Sequence, residues 1–106
     1  MIRGTTQKLM FDIGINTSDI AELWLTFAQY DSSSEIFTKT KDDVTLEGTT
    51  VTVELSQEDT LSLNKSNIKE KVVYIQLRAL LNNGEALASS IVEITVDHLL
   101  KEGVIE

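Results

Sequence analysis

Acidic side chains are the residues of this sequence whose clustering comes nearest to a catalytic or metal-binding pattern. They stand together at three places, Asp42 with Asp43, Glu58 with Asp59, and Asp31 with Glu35. Two carboxylates can share general acid and base roles, or bind calcium, when their spacing brings them together. None of the three groups matches a calcium-binding loop. We therefore expect solvated turns around Asp42 and Asp31, and a helix cap at Asp59.

Nucleophilic and metal chemistry have little support in this composition. The chain has no cysteine and one histidine, His98. A serine nucleophile needs an adjacent base, and His98 lies where a short helix is expected. Zinc sites take several cysteine or histidine ligands, and the five glycines are isolated, so no glycine-rich loop can bind a phosphate. The sequence predicts no catalytic residue, no metal site, no cofactor and no enzymatic activity.

Three aromatic residues could form a binding platform. Trp24, Tyr30 and Tyr74 lie on the second face of two predicted strands. If that face is open, their rings could stack on a sugar or contact a partner protein. The favoured interpretation is that they pack between strands, which is the commoner place for aromatic side chains.

Arg78 is the unusual charge of the sequence, because it lies within the most apolar predicted strand. Its guanidinium must reach the rim of the sheet or pair with a carboxylate. We expect a structural ion pair with Glu93 or Glu22, and a ligand contact is the alternative.

Length, composition and charge restrict the class of protein. The 106 residues suit a single domain, 1–106, and hydrophobic and charged fractions of 42% and 25% are those of a folded globular chain. The formal net charge of -8 repels phosphate backbones and anionic membranes. No apolar run is long enough to span a bilayer or to act as a signal peptide. We expect a soluble chain with no nucleic-acid or membrane partner.

Hydrophobic alternation predicts about seven short strands. The strands are expected at residues 8–13, 23–30, 35–40, 44–46, 51–55, 72–81 and 86–94. The strand at 23–30 should be central and covered on both faces. Pairing Leu46 with Val51 and Val44 with Val53 places every apolar residue of one hairpin on the same side. Pairing Leu81 with Ala86 does so for the last hairpin, and it aligns Arg78 with Ser89.

Helical segments and loops are predicted between these strands. Ser56 and Asp59 have the spacing of a capping box at the start of one helical turn. Asp97 can cap a second short helix at 98–102, and residues 64–71 form a polar loop that we expect to be mobile. The pattern favours an all-β antiparallel sandwich of about seven strands with one or two short helical turns over a barrel.

Three segments carry a resemblance to a known group of proteins. They are Leu-Ser-Gln-Glu-Asp-Thr-Leu at 55–61, Val-Tyr-Ile-Gln-Leu-Arg-Ala-Leu at 73–80 and Asn-Gly-Glu-Ala-Leu-Ala-Ser at 83–89. In this order they resemble small structural proteins of tailed phages and prophages of Gram-positive bacteria. More loosely, the sequence is similar to the N-terminal domain of phage upper baseplate proteins. That similarity implies an immunoglobulin-like sandwich and a part in assembling the tail or baseplate, with head or accessory positions as alternatives.

The resemblance implies a function without catalysis. We expect a phage or prophage structural protein that contacts other phage structural proteins, or further copies of itself, first in the host cytoplasm and then in the virion. The alternative is a β-sandwich module that binds carbohydrate or a host surface. The candidate partner or ligand contacts are Trp24, Tyr30, Tyr74, Arg78 and the apolar tail residues Val104 and Ile105. Edge strands without proline offer further contact sites.

Overall fold

A computed structural model describes residues 1–29, 34–64, 71–89, 91–97 and 103–105. These residues form eight β-strands, one α-helix and two 3-10 turns. In chain order the strands are β1 (Gln7–Asp12), β2 (Ile20–Gln29), β3 (Ser34–Thr40), β4 (Val44–Glu47), β5 (Thr50–Leu55), β6 (Lys71–Leu81), β7 (Ala86–Ala88) and β8 (Val92–Val96). The helix, α1, is Gln57–Ser62, and the 3-10 turns are Thr17–Asp19 and Lys41–Asp43.

The described strands form two antiparallel sheets. The smaller sheet has three strands in the order β1-β5-β4. The larger sheet has five strands in the order β3-β2-β6-β7, and β8 also pairs with β6. The predicted all-β, sandwich-like fold is therefore confirmed. It has eight described strands in place of about seven because the return strand beside β6 is split into β7 and β8.

Alternating apolar side chains of the two sheets meet in a single core. Its members on β2 and β6 are Ile20, Leu23, Leu25, Phe27, Val73, Ile75, Leu77 and Ala79, and those on β5 are Val51, Val53 and Leu55. Removing large aliphatic or aromatic side chains of this kind from water contributes about 1.5–3 kcal/mol each. Since the chain has no cysteine, no disulfide joins the two layers; this packing holds them against each other, while backbone hydrogen bonds join the strands within each sheet.

The β4–β5 hairpin has the register that the sequence predicts. Leu46 pairs with Val51 and Val44 pairs with Val53. The turn contains Gly48 with a φ of 57°, a left-handed conformation that glycine adopts without a Cβ clash. The hairpin therefore presents one apolar face to the core, and β2 takes the predicted central place between β3 and β6.

The register beside β6 differs from the prediction near the turn. Arg78 pairs with Ala88, one residue earlier than expected, whereas Ile75 pairs with Val92 as predicted. Ser89 causes the change, because its hydroxyl oxygen accepts the Leu77 amide at 3.0 Å while its own amide donates to the Leu77 carbonyl at 2.8 Å. One extra residue is thus accommodated between β7 and β8 as a bulge.

Helix α1 begins with the predicted capping box. The Asp59 amide donates to Ser56 Oγ at 3.1 Å, and the Ser56 amide donates to Asp59 Oδ2 at 3.0 Å. The same carboxylate accepts a hydrogen bond from Lys39 Nζ at 3.0 Å. Burial opposes ionisation of Asp59, but the hydrogen bonds from Ser56 and Lys39 outweigh it and lower the pKa of the carboxyl group.

We expect Asp59→Ala to lower the free energy of unfolding by about 1 kcal/mol at neutral pH, because it removes half of the capping box. A lowered pKa in the folded state means that this stabilisation is present above the unfolded value of about 3.9 and is lost as the pH falls through the folded-state pKa. Urea denaturation of both proteins from neutral to acidic pH should show their difference shrinking. Glu58→Ala, at the exposed neighbouring position, is the control and should have little effect at any pH.

Arg3 joins the N-terminal segment to the end of α1. Its side chain is buried, and Nε donates to the Leu63 carbonyl at 2.7 Å while Nη2 donates to the Leu61 carbonyl. The last carbonyls of a helix have no partner within the helix. Arg3 therefore stabilises the end of this short helix from a position about 60 residues away in sequence.

Two buried polar residues complete this N-terminal anchor, which we define as Arg3, Thr60 and Asn64. Thr60 Oγ1 accepts the Gly4 amide at 3.0 Å and donates to the Thr5 carbonyl at 2.7 Å. Asn64 has a φ of 50° and donates from Nδ2 to the Val96 carbonyl at 2.9 Å. The anchor thus ties the N-terminal segment, α1 and β8 together through buried hydrogen bonds.

Two sequence-based predictions fall outside the described residues. They are the helix at 98–102, with His98, and most of the polar loop at 64–71, of which only its first and last residues are described. Within the described part of the chain, no helix has the length and apolar character needed to cross a membrane.

Candidate interaction surface

The larger sheet has one face turned away from the core, which we call the outer face. The strand registers place Trp24 between Thr40 and Arg78, Thr26 between Thr38 and Gln76, and Ala28 beside Tyr74. A groove of about 560 Å³ follows this face. The lining residues are Trp24, Thr26, Ala28, Glu35, Thr38, Thr40, Tyr74, Ile75, Gln76, Arg78 and Ile91.

Trp24 and Arg78 form a stacked pair at one end of this groove. The guanidinium carbon of Arg78 lies 5.6 Å from the centroid of the indole ring, within the range of a cation–π interaction. Trp24 is 49% exposed, so the expectation that this strand is covered on both faces is wrong at this position. Among the described residues, neither Glu22 nor Glu93 forms an ion pair with Arg78, and the expected pairing is wrong as well.

Hydroxyl and amide groups line the rest of the groove. The hydroxyl oxygens of Thr26 and Thr38 lie 3.3 Å apart, and the Thr38 hydroxyl donates to Glu35 Oε2 at 2.7 Å. Gln76 Nε2 donates to the Ser89 carbonyl at 3.1 Å. These bonds fix the orientation of the side chains, which have further donor and acceptor positions that the bonds do not use.

The structure brings together only some of the predicted contact residues. Trp24, Tyr74 and Arg78 share the groove, and Tyr74 is partly buried. Tyr30 lies outside the described residues. Val104 and Ile105 are exposed, but the side-chain amide of Gln57 holds the Ile105 backbone by accepting its amide at 2.8 Å and donating to its carbonyl at 3.2 Å. The tail is therefore held beside α1.

The acidic clusters have structural roles where they are described. Asp43 Oδ2 accepts the Thr40 amide at 2.9 Å and the Thr40 hydroxyl at 3.1 Å, and the backbone bond is the main cause of a lowered pKa of the Asp43 carboxyl. Asp43 and Asp59 thus serve as caps, as expected for Asp59. Asp31 lies outside the described residues. Across the described ranges, no three histidine, cysteine or acidic side chains come together as a metal site would require.

Comparison with known proteins finds no relative of this chain. No family model, no curated protein and no solved structure matches this chain. Support for a candidate surface on this face therefore comes only from the exposure and contacts of its own residues. Periodicity in the sequence groups Trp24 with Thr26, and Tyr74 with Gln76 and Arg78, but it carries no signal that this face of the sheet is open.

Proposed function

We propose that this chain is a non-enzymatic structural protein of a phage or prophage, and that it binds other proteins of the virion tail or baseplate through its outer face. The resemblance of three sequence segments to small phage structural proteins supplies the biological setting. The observation that carries the proposed mode of action is the stacked, exposed pair of Trp24 and Arg78.

This pair has the chemistry of an interface anchor. Tryptophan and arginine are the residue types most enriched at the energetic centres of protein interfaces. Stacking on Trp24 holds the Arg78 guanidinium in place, so little side-chain entropy is lost when a partner carboxylate binds it. Exposed Leu80 and Ile91 extend the apolar area around the pair. The outer face therefore combines apolar area with one oriented cation.

We expect Trp24→Ala to weaken partner binding by tenfold or more, because truncation of an interface anchor costs about 2 kcal/mol or more. Light scattering across a range of concentrations first tests whether the purified chain associates with itself. Pairwise co-expression with the proteins encoded by adjacent genes, followed by titration calorimetry of any complex, then tests for other partners.

The matched control is Met10→Ala, since Met10 is an exposed apolar side chain on the smaller sheet. Loss of binding with Trp24→Ala and Arg78→Ala, and retention with Met10→Ala, would support the proposal. A complex that forms equally well with Trp24→Ala and with Arg78→Ala would contradict the proposal. A chain that stays monomeric and binds none of the proteins encoded by adjacent genes would also contradict it.

A carbohydrate-binding function is the second candidate, and the lining of the groove is the observation that favours it. Threonine hydroxyls, Gln76 and Glu35 beside an exposed tryptophan resemble the mixture of polar groups and ring stacking that sugars require. Arg78 already lies over the indole ring, so a sugar would stack on the other ring face or displace the guanidinium. Trp24 is the only tryptophan, and its fluorescence should change on titration with a bound glycan. A glycan array without hits would remove this candidate.

A further inference from the structure

A second recess lies between the two sheets, on the side where β1 faces β6, β7 and β8. It is an apolar cleft of about 360 Å³, within the size range of pockets that bind ligands. Its apolar walls are Phe11, Ile13, Ile15, Leu25, Ile75, Leu77, Ala79, Leu87, Ala88 and Val92. The cleft contains neither Trp24 nor Arg78, and it shares only Ile75 with the residues that line the groove of the outer face.

The cleft exists because the smaller sheet covers only part of the larger one. Leu87 pairs with buried Ala79 and Val92 pairs with buried Ile75, so both belong to the inner face of the larger sheet. Nevertheless, Leu87 is 40% exposed and Val92 is 43% exposed. Within the described residues, no strand of the smaller sheet lies beyond β1 to cover them. As far as the described strands show, the position of one further strand beside β1 is therefore open.

The backbone of β1 is suited to pair with such a strand. Ile13 donates its amide to the Thr49 carbonyl at 2.9 Å, continuing the ladder with β5. Alternate residues of an antiparallel pair direct their backbone groups toward and away from the partner strand. Leu9 and Phe11 therefore bond to β5, whereas Lys8, Met10 and Asp12 turn their amides and carbonyls to the free edge. An edge of this kind, without proline, is a template for strand addition.

The charge of the chain indicates which kind of strand could pair with the free edge of β1. Asp12 is the one charged residue among those that line the cleft, and the whole chain carries a formal net charge of -8. This field attracts basic segments and repels acidic ones, including a second copy of the chain. We propose that an extended basic segment of a partner protein adds to β1 as a strand and packs alternate apolar side chains against Leu87 and Val92.

The test uses a capped synthetic peptide of alternating lysine and valine, with a peptide of the same composition but a single valine block as its control. Amide hydrogen exchange followed by NMR distinguishes strand addition from other binding. We expect the alternating peptide to protect the amides of Lys8, Met10 and Asp12, while Leu9 and Phe11 are protected with or without it. Binding should weaken as salt is added, because the attraction is between opposite charges.

Two variants test the geometry. Met10→Pro removes an amide that points to the free edge, a position where an edge strand tolerates proline. It should leave the β5 ladder intact and lower peptide affinity about tenfold, because the peptide loses one backbone hydrogen bond. Leu87→Ser removes apolar contact within the cleft and should also weaken binding. Leu80→Ser is the control, since Leu80 is exposed on the outer face of the same sheet.

Each other outcome would overturn the proposal. Unchanged exchange at Lys8, Met10 and Asp12 at millimolar peptide would exclude strand addition. NMR chemical-shift changes that are confined to Leu87 and Val92, and that both peptides produce equally, would identify the cleft as an apolar ligand site. A doubled mass in light scattering without peptide, with Met10→Pro restoring the monomer, would assign the edge to a second copy. None of these results bears on Trp24 and Arg78, so the proposed function is tested separately.

Discussion

Replacing Arg3 by alanine should lower the free energy of unfolding by about 3 kcal/mol, the largest effect that we expect from any polar substitution. Arg3 is 4% exposed and donates to the carbonyls of Leu61 and Leu63. Removing its guanidinium leaves the buried Leu63 carbonyl and the partly buried Leu61 carbonyl without these charged donors, and it opens a cavity where the side chain lay. Urea denaturation followed by circular dichroism measures the change.

Arg3→Lys separates charge from geometry. A lysine ammonium is a point donor on a flexible chain and cannot reproduce the two fixed directions in which the guanidinium donates. We therefore expect the lysine variant to recover only part of the lost stability. Lys8→Ala is the control for removal of a cation, since among the described residues Lys8 pairs only with exposed Glu54, at 3.8 Å, and this pair should contribute less than about 0.5 kcal/mol. Equal effects of Arg3→Ala and Lys8→Ala would show that the anchor does not stabilise the fold.

Local patterns in the sequence were sufficient to predict much of this fold. Pairing Leu46 with Val51 and Val44 with Val53 places all four apolar residues on one face, and the hairpin has that register. The capping box at Ser56 requires only two side chains three residues apart. In both cases, the determining interactions lie between residues that are close in sequence.

Interactions between distant residues were not predictable in this way. The sequence indicates no partner for Arg3, because its contacts with Leu61 and Leu63 depend on how the N-terminal segment crosses α1. The bulge at Ser89 has a similar origin, since a side-chain oxygen replaces a backbone acceptor opposite Leu77. Periodicity indicates which residues share a face of a sheet. It does not indicate where a side-chain atom takes the place of a backbone hydrogen-bond partner.

The candidate surfaces depend on how much of one sheet the other sheet covers. Alternation along the strand predicts that Tyr74, Gln76 and Arg78 share one face of β6, and the structure confirms this grouping. Whether that face is open depends on the presence of a third layer, which no local pattern encodes. The cleft beside β1 likewise follows from the pairing of three strands against five. Both surfaces are consequences of topology.

Phe27→Ala should cause the largest loss of stability among the core substitutions, about 3–5 kcal/mol in the free energy of unfolding. Phe27 is fully buried in central strand β2, and its ring stacks on Phe37 of β3 with the centroids 4.6 Å apart and an interplanar angle of 25°. Truncation removes buried apolar area, leaves a cavity between the sheets and abolishes an aromatic contact worth about 0.5–1.5 kcal/mol.

Trp24→Ala provides the matched control, because Trp24 is the other large aromatic residue of β2 and lies three residues away on the opposite face. It loses mainly exposed area and its stacking with Arg78, so we expect a decrease of about 1 kcal/mol or less. Chemical denaturation of both variants measures the difference between the two faces of one strand. A Trp24→Ala loss as large as that of Phe27→Ala would mean that the outer face is covered in solution and is unavailable to a partner.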